Sequence, residues 1–215
     1  FLDPIVEGDA DYTKGNRFAD PASRSAIPRF RRAGNRLLSL LTKVASGYWG
    51  SLDSQNGYTA ISRTALDRAD FEGMYEYYGY CNDLLVRLNV ADLRVADIPQ
   101  SPEYVYEGDW QSHIEYPEYV PKVSLLLLRS FLWRLWRKYL RRGHPVALLY
   151  PAGALLTGRG VLETLGARAA DRTRAGEGGR GVLAGLVVLG LAAVLDWLAN
   201  RDLESHVEPA DTDES

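Results

Sequence analysis

The chain has 215 residues, 46% hydrophobic and 25% charged, with a formal net charge of −3. Such a chain holds one full domain and something extra, and its composition is ordinary for a globular protein. A single cysteine, Cys81, excludes an intramolecular disulfide and suits a reducing compartment.

The charge is unevenly placed. Residues 1–123 carry 13 Lys/Arg and 18 Asp/Glu, residues 124–142 carry six basic residues and no acid, and residues 143–215 carry 6 basic and 10 acidic. A compact basic block between two acidic stretches bears on partners. The first residue is Phe1, with no signal peptide in view, so the sequence reads as a fragment.

Residues 10–18 read as a strand running into a loop that ends with Arg17, and residues 19–27 as a polar loop. Pro28 suits the first turn of a helix to about Ser46, with Phe30, Leu37, Leu38, Leu41 and Val44 as its apolar stripe and Gly47 as its stop. Asn56-Gly57 signals a sharp turn before a strand at 57–62, and Ser62 or Thr64 caps a short helix. Residues 82–90 predict an amphipathic helix burying Leu84, Leu85 and Leu88, with Asp83 near its positive end. Residues 93–99 alternate as a strand, stopped by Pro99. Strand and helix in alternation argue an α/β fold. Residues 100–123, rich in Pro, Tyr and Glu, read as an ordered surface loop.

From 124 to 143 the sequence predicts a basic amphipathic helix. Arg134, Arg137, Lys138 and Arg141 make one polar face; Leu128, Phe131, Leu132, Leu135 and Tyr139 fill the other, with Trp133 and Trp136 at its margins. That combination describes a helix lying in a membrane surface; the other reading is a helix that contacts nucleic acid. Residues 144–200 hold two transmembrane or re-entrant helices. The first, 144–166, is interrupted by Pro151 and Arg159; the second, 181–199, is the better span, with Asp196-Trp197 at the interface. Residues 167–180 read as the Gly/Arg-rich loop of a helical hairpin. The basic residues of 129–142 outnumber those of that loop, which places the first domain on the cytoplasmic side. Residues 201–215 form an acidic tail, expected to be disordered.

There is no Gly-rich phosphate loop. His113, His144 and His206 lack metal-ligand spacing, and no Ser/His/Asp triad can be built. Carboxylates remain. Asp53 either stabilises its own turn or acts on a substrate, and Asp83 either caps its helix or does the same. Arg17 is either a surface arginine or a charge-assisted donor to a diphosphate.

The segments "DYTKGNRF", "DSQNGYTAISRTAL", "NDLLVRLNVADLRVADIP", "VSLLLLRSFLWRLWRKYL" and "LAAVLDWLANRDL" occur here in one order. That series resembles the C-terminal half of membrane-attached family 2 glycosyltransferases, similar to archaeal dolichyl-phosphate mannose and glucose synthases. The resemblance implies that residues 1–123 are the C-terminal half of a GT-A (Rossmann-like) catalytic domain. It implies inverting transfer of a hexose from a nucleotide-diphosphate sugar to a polyprenyl phosphate at the cytoplasmic membrane face. It maps Arg17 to the donor phosphates, and Asp53, Asn56, Gly57 and Tyr58 to the sugar and acceptor. It maps the acidic pair before "LL-x-R-L" to Cys81–Asp83; related enzymes often carry Glu near Cys81, which leaves Asp83 as the acid. It further implies a divalent Mg or Mn ion, held mainly by an upstream Asp-x-Asp that these residues do not contain, so this chain alone is expected to be inactive. The alternative is a non-catalytic membrane-anchored binding or scaffold protein with the same fold. A processive polysaccharide synthase is disfavoured, because no Gln-x-x-Arg-Trp motif is present.

Overall fold

A computed structural model describes the chain except residues 18–28, 52, 55, 78, 101–115, 171 and 207–215; side chains at 29–35, 116–120, 167–170, 172–175 and 206 are also outside the description. The elements are α1 (Asp3–Val6), β1 (Tyr12–Asn16), α2 (Arg29–Ser46), β2 (Thr59–Ile61), α3 (Arg63–Arg68), α4 (Tyr80–Val90), β3 (Val95–Pro99), α5 (Tyr116–Arg134), α6 (Val146–Ala170), α7 (Arg172–Asn200) and β4 (Glu204–His206). Leu135–Tyr139 form a π-helical turn and Leu140–Arg142 a 3₁₀ turn. The chain divides into a sheet unit, 1–134 with 200–215, and a helical unit, 135–199.

In the sheet unit the strand order is β2-β1-β3-β4. β2 is antiparallel to β1, whereas β1, β3 and β4 run parallel. The sheet is thus the mixed kind that α/β chains build, with the last strand supplied from far along the sequence. Tyr12 faces Val95 and Lys14 faces Asp97 in the ladder. Tyr12, Tyr48, Leu84, Leu85, Leu88, Leu93 and Val95 form the core. Each fully buried leucine contributes about 1.5–3 kcal/mol relative to exposure. A second cluster, Leu38, Ala45, Val86, Val123 and Leu127, joins α2, α4 and α5.

Ser62 caps α3 by accepting from the Ala65 N–H at 3.0 Å. α4 departs from the amphipathic pattern: every residue from Cys81 to Asn89 is buried, so its polar groups find partners inside. Thr42 donates to Asn82 at 3.1 Å, and Asn89 donates to Asn200 at 2.9 Å. The expected loop at 100–123 is helical from Tyr116 onward, with Pro121 inside α5; its residues 101–115, and His113 with them, lie outside the described residues. A proline here costs the helix one N–H bond and does not stop it.

In the helical unit, α6 runs through Pro151 and Arg159, and the expected loop at 167–180 belongs to α6 and α7 apart from residue 171. The glycines explain why. A Cβ on Gly160 would lie 2.4 Å from the Val182 nitrogen and 2.7 Å from the Gly178 carbonyl oxygen. One on Gly185 would lie 2.5 Å from the Thr157 nitrogen. Glycine lowers helix propensity by about 1 kcal/mol, but here it lets two helix backbones touch. Among the described residues one helix, Gly176–Leu203, is long and apolar enough to cross a membrane, its most apolar 18-residue stretch having a mean hydropathy of 2.3. Asp196 is buried and accepts bonds from the Tyr139 hydroxyl and, at 3.2 Å, the Tyr150 hydroxyl.

The C-terminal tail also differs from the expected disorder at its start. Arg201–Leu203 form a 3₁₀ turn and Glu204–His206 pair with β3; residues 207–215 lie outside the described residues.

Candidate active site

Parallel strands place their carboxyl ends on one edge, where open α/β sheets bind ligands. β1 ends there at Asn16 and β3 at Pro99. The loop 47–58 is fastened to this edge. Gly15 donates its N–H to the Tyr58 carbonyl at 2.9 Å. A Cβ on Gly15 would lie 2.6 Å from Asn56 Nδ2 and 2.8 Å from Gln100 Oε1, so glycine is needed for the loop to lie this close. Asn56 Nδ2 donates to Gln100 Oε1 at 2.6 Å.

Asp53 is 1% exposed and lies against Arg17 in a bidentate pair. Arg17 Nε donates to Oδ2 at 2.7 Å and Nη2 to Oδ1 at 2.9 Å; the Arg17 backbone N–H adds a bond to Oδ2 at 3.1 Å. Burial pulls the Arg17 guanidinium down, and the hydrogen bonds and charge of Asp53 outweigh it, so the group is raised overall. Lys14, buried in β1, donates to the Asp53 carbonyl at 3.0 Å and pairs with Asp97 at 3.0 Å. Two cations are therefore fixed at one sheet edge. The same loop holds three buried polar atoms with no hydrogen-bond partner: Trp49 Nε1, Ser51 Oγ and Ser54 Oγ. Each costs about 1–3 kcal/mol until a partner arrives.

The sequence pattern thus brings Arg17, Asp53 and Asn56 together. Gly57 plays a different part from the one expected. It does not adopt positive φ, and a Cβ there would have only the Tyr80 hydroxyl, 3.6 Å away. The turn is closed by Asn56, whose Oδ1 accepts from the Tyr58 N–H at 2.9 Å. Tyr58 is 60% exposed. Lys14 was missed because a lysine in mid-strand reads as a solvated residue; its cross-strand partner Asp97 is the signal that could have found it.

Asp83 belongs to a separate network. Its Oδ2 accepts from Arg87 Nε at 2.9 Å and the Tyr75 N–H at 3.0 Å, and its Oδ1 accepts from Ser130 at 2.6 Å. Each oxygen accepts at least one bond. Asp83 and Arg87 border a cavity of about 350 Å³ with Tyr75, Arg129, Ser130 and Trp133. Cys81 stays a thiol, since burial raises it.

The expected basic face divides. Arg137 and Arg141 are exposed, and the Arg141 guanidinium lies 4.9 Å from the Trp136 ring centre. Arg134 is 0% exposed and donates to the Val44 carbonyl at 2.9 Å; Lys138 is buried as well. The helical wheel assumed one unbroken α-helix. The π-helical turn at Leu135–Tyr139 changes the residues per turn and breaks that face. Leu125, Leu128 and Leu132 form an exposed apolar stripe on α5 instead.

Among the described residues no three His, Cys, Asp or Glu side chains converge to hold a metal ion.

No family model and no solved structure matches the chain. Over 98 residues, 46% of its length, it is 28% identical to the UDP-N-acetylglucosamine–dolichyl-phosphate N-acetylglucosaminyltransferase of Methanococcus voltae. The match spans 39% of that relative's length.

Proposed function

We propose that this chain belongs to a membrane-attached glycosyltransferase of the family 2 type. It moves a hexose-type sugar from a nucleotide-diphosphate donor to a polyprenyl (dolichyl) phosphate at the cytoplasmic membrane face, with inversion. The observation that carries this reading is the Arg17–Asp53 pair at the carboxyl edge of the parallel strands, with Lys14 beneath it and unpartnered polar atoms on the same loop. The relative's activity and the membrane-length helix support it.

The chemistry follows from the acceptor. A phosphate monoester carries about −1.5 to −2 charges at neutral pH, so its oxygen is already a nucleophile and needs no general base. That oxygen forms a bond to the anomeric carbon as the bond to the nucleotide diphosphate breaks, and the diphosphate leaves with the electron pair. One displacement inverts the anomeric centre. The protein's task is to hold two anionic groups close and stabilise the charge that develops on the leaving one. Arg17 is the donor for that work. Asp53 fixes the guanidinium's orientation, and Asn56 and Tyr58 border the same edge. Asp83, held by three donors of its own network, supports the wall behind α4.

The test is transfer of labelled sugar from UDP- and GDP-sugars to polyprenyl phosphate by the complete protein in membranes. Lipid-linked sugar released by mild acid is the expected product. No transfer, with the lipid phosphate still bound, would leave the non-catalytic anchored protein as the better reading.

A further inference from the structure

The loop that carries Asp53 is fastened at its other end by a residue far along the chain. Glu204 in β4 accepts from the Trp49 N–H at 2.6 Å through Oε1 and from the Gly50 N–H through Oε2. The fit is close: a Cβ on Gly50 would lie 2.3 Å from Glu204 Oε2. A carboxylate gripping two successive N–H groups fixes the backbone in both position and direction, and such charge-assisted bonds are the strong ones.

Glu204 is also part of a charge group beneath the loop. Burial raises its carboxyl; Trp49 and Gly50, together with Lys43 on α2, act against that, and the Asp97 charge adds to it. Asp97 pairs with Lys14, and Lys14 donates to the Asp53 carbonyl. Two routes therefore join Glu204 to Asp53. One is the short chain from Gly50; the other passes through Lys43, Asp97 and Lys14. Asn200 approaches the same loop, since its Nδ2 would lie 3.2 Å from a Cβ on Gly47.

We propose that Glu204 is a positioning residue of the candidate site: by clasping the Trp49 and Gly50 N–H groups from β4, it sets loop 47–58 so that Asp53 meets Arg17. A three-residue strand that follows the membrane-length helix thus completes a site built from Lys14, Arg17, Asp53 and Asn56. The transfer readout rests on the glycosyltransferase reading; the clasp does not.

Amide hydrogen exchange of the full chain in detergent tests the clasp directly. The Arg17 N–H bonds to Asp53 Oδ2, so its exchange reports whether Asp53 is seated. Glu204→Ala is expected to speed exchange at Trp49, Gly50 and Arg17 by roughly tenfold or more, while α4 amides keep their rates. Glu204→Gln, which retains one acceptor oxygen, recovers part of that protection and is the variant to use where Ala does not fold. In the complete protein, kcat/KM for transfer falls about tenfold in Glu204→Ala, chiefly through kcat, and recovers partly in Glu204→Gln. Unchanged exchange at Arg17, or a uniform rise across the sheet, overturns the proposal. So does altered Arg17 exchange with unaltered transfer. A protein that transfers no sugar at all, yet shows the local exchange pattern, loses the transferase reading and keeps the clasp.

Discussion

In the sheet unit, Gly15, Gly47 and Gly50 make room for polar side-chain tips: Asn56, Arg134 and Glu204 reach over them. In the helical unit, Gly160, Gly178 and Gly185 make room for another backbone. A side-chain tip can swing away from an added methyl group; a packed helix cannot. The same residue type therefore guards the arrangement of a site in one unit and stability in the other.

The largest expected effect is on the helical side. Gly160→Ala puts a methyl group 2.4 Å from the Val182 nitrogen and should destabilise the helix pair by about 3 kcal/mol. Gly158, two residues away, has nothing within 4 Å. Gly158→Ala should be neutral or stabilising by up to about 1 kcal/mol. Thermal unfolding in detergent separates the two; equal melting temperatures would refute backbone contact at Gly160.

The next effect lies at the site and touches activity, not fold. Arg17→Ala and Asp53→Asn should each lower transfer by roughly tenfold to a hundredfold. If Asp53 acts by holding Arg17, the double variant is little worse than either single one. Additive losses would give Asp53 a contact of its own with substrate. Asp83→Asn provides the contrast. It weakens a buried three-donor network, so the unfolding free energy should drop by about 1.5 kcal/mol, with kcat unchanged in the folded fraction. A selective loss of kcat would move Asp83 into the chemistry.

Smaller still is a pH effect. Burial holds the Glu204 carboxyl above the ordinary glutamate value. The folded chain then keeps a proton there that the unfolded chain has released. Stability should therefore fall as pH rises from the ordinary glutamate range through the folded value. Glu204→Gln should flatten that slope in pH-dependent melting; an unchanged slope would assign it to another group. Smallest is Gly57→Ala, within about 0.5 kcal/mol and with transfer intact, because Gly57 has neither positive φ nor a crowding neighbour. A large loss would restore the glycine turn that the Asn-Gly pair suggests.

Much of the sheet unit was legible. Alternation located β2 and β3, the run before Arg17 located β1, and Ser62 marked a helix start; Arg17 and Asp53 were both singled out, but their pairing appears only in the structure. What stayed hidden was hidden for physical reasons. β4 is three residues long and begins with two polar ones, too short for any period to show. Arg134 occupies a wheel position that promises solvent, and its burial depends on Val44 and Asn89, which no local pattern connects to it. The glycines of 176–181 resemble a loop because propensity counts only the cost within one helix. The gain from a second backbone is a tertiary fact.

Gly47 has one further consequence. Arg134 and Asn200 both converge on it, at 2.2 Å and 3.2 Å from where its Cβ would be. They are the residues where the chain leaves the sheet unit and where it returns. Topologically, residues 135–199 are an insertion, and the side chains of the two sheet-unit residues that bound it converge on a single glycine. Insertions with neighbouring ends are those a domain tolerates, and also those it can lose. Replacing residues 135–199 with a short Gly/Ser bridge should leave a water-soluble sheet that keeps its fourth strand.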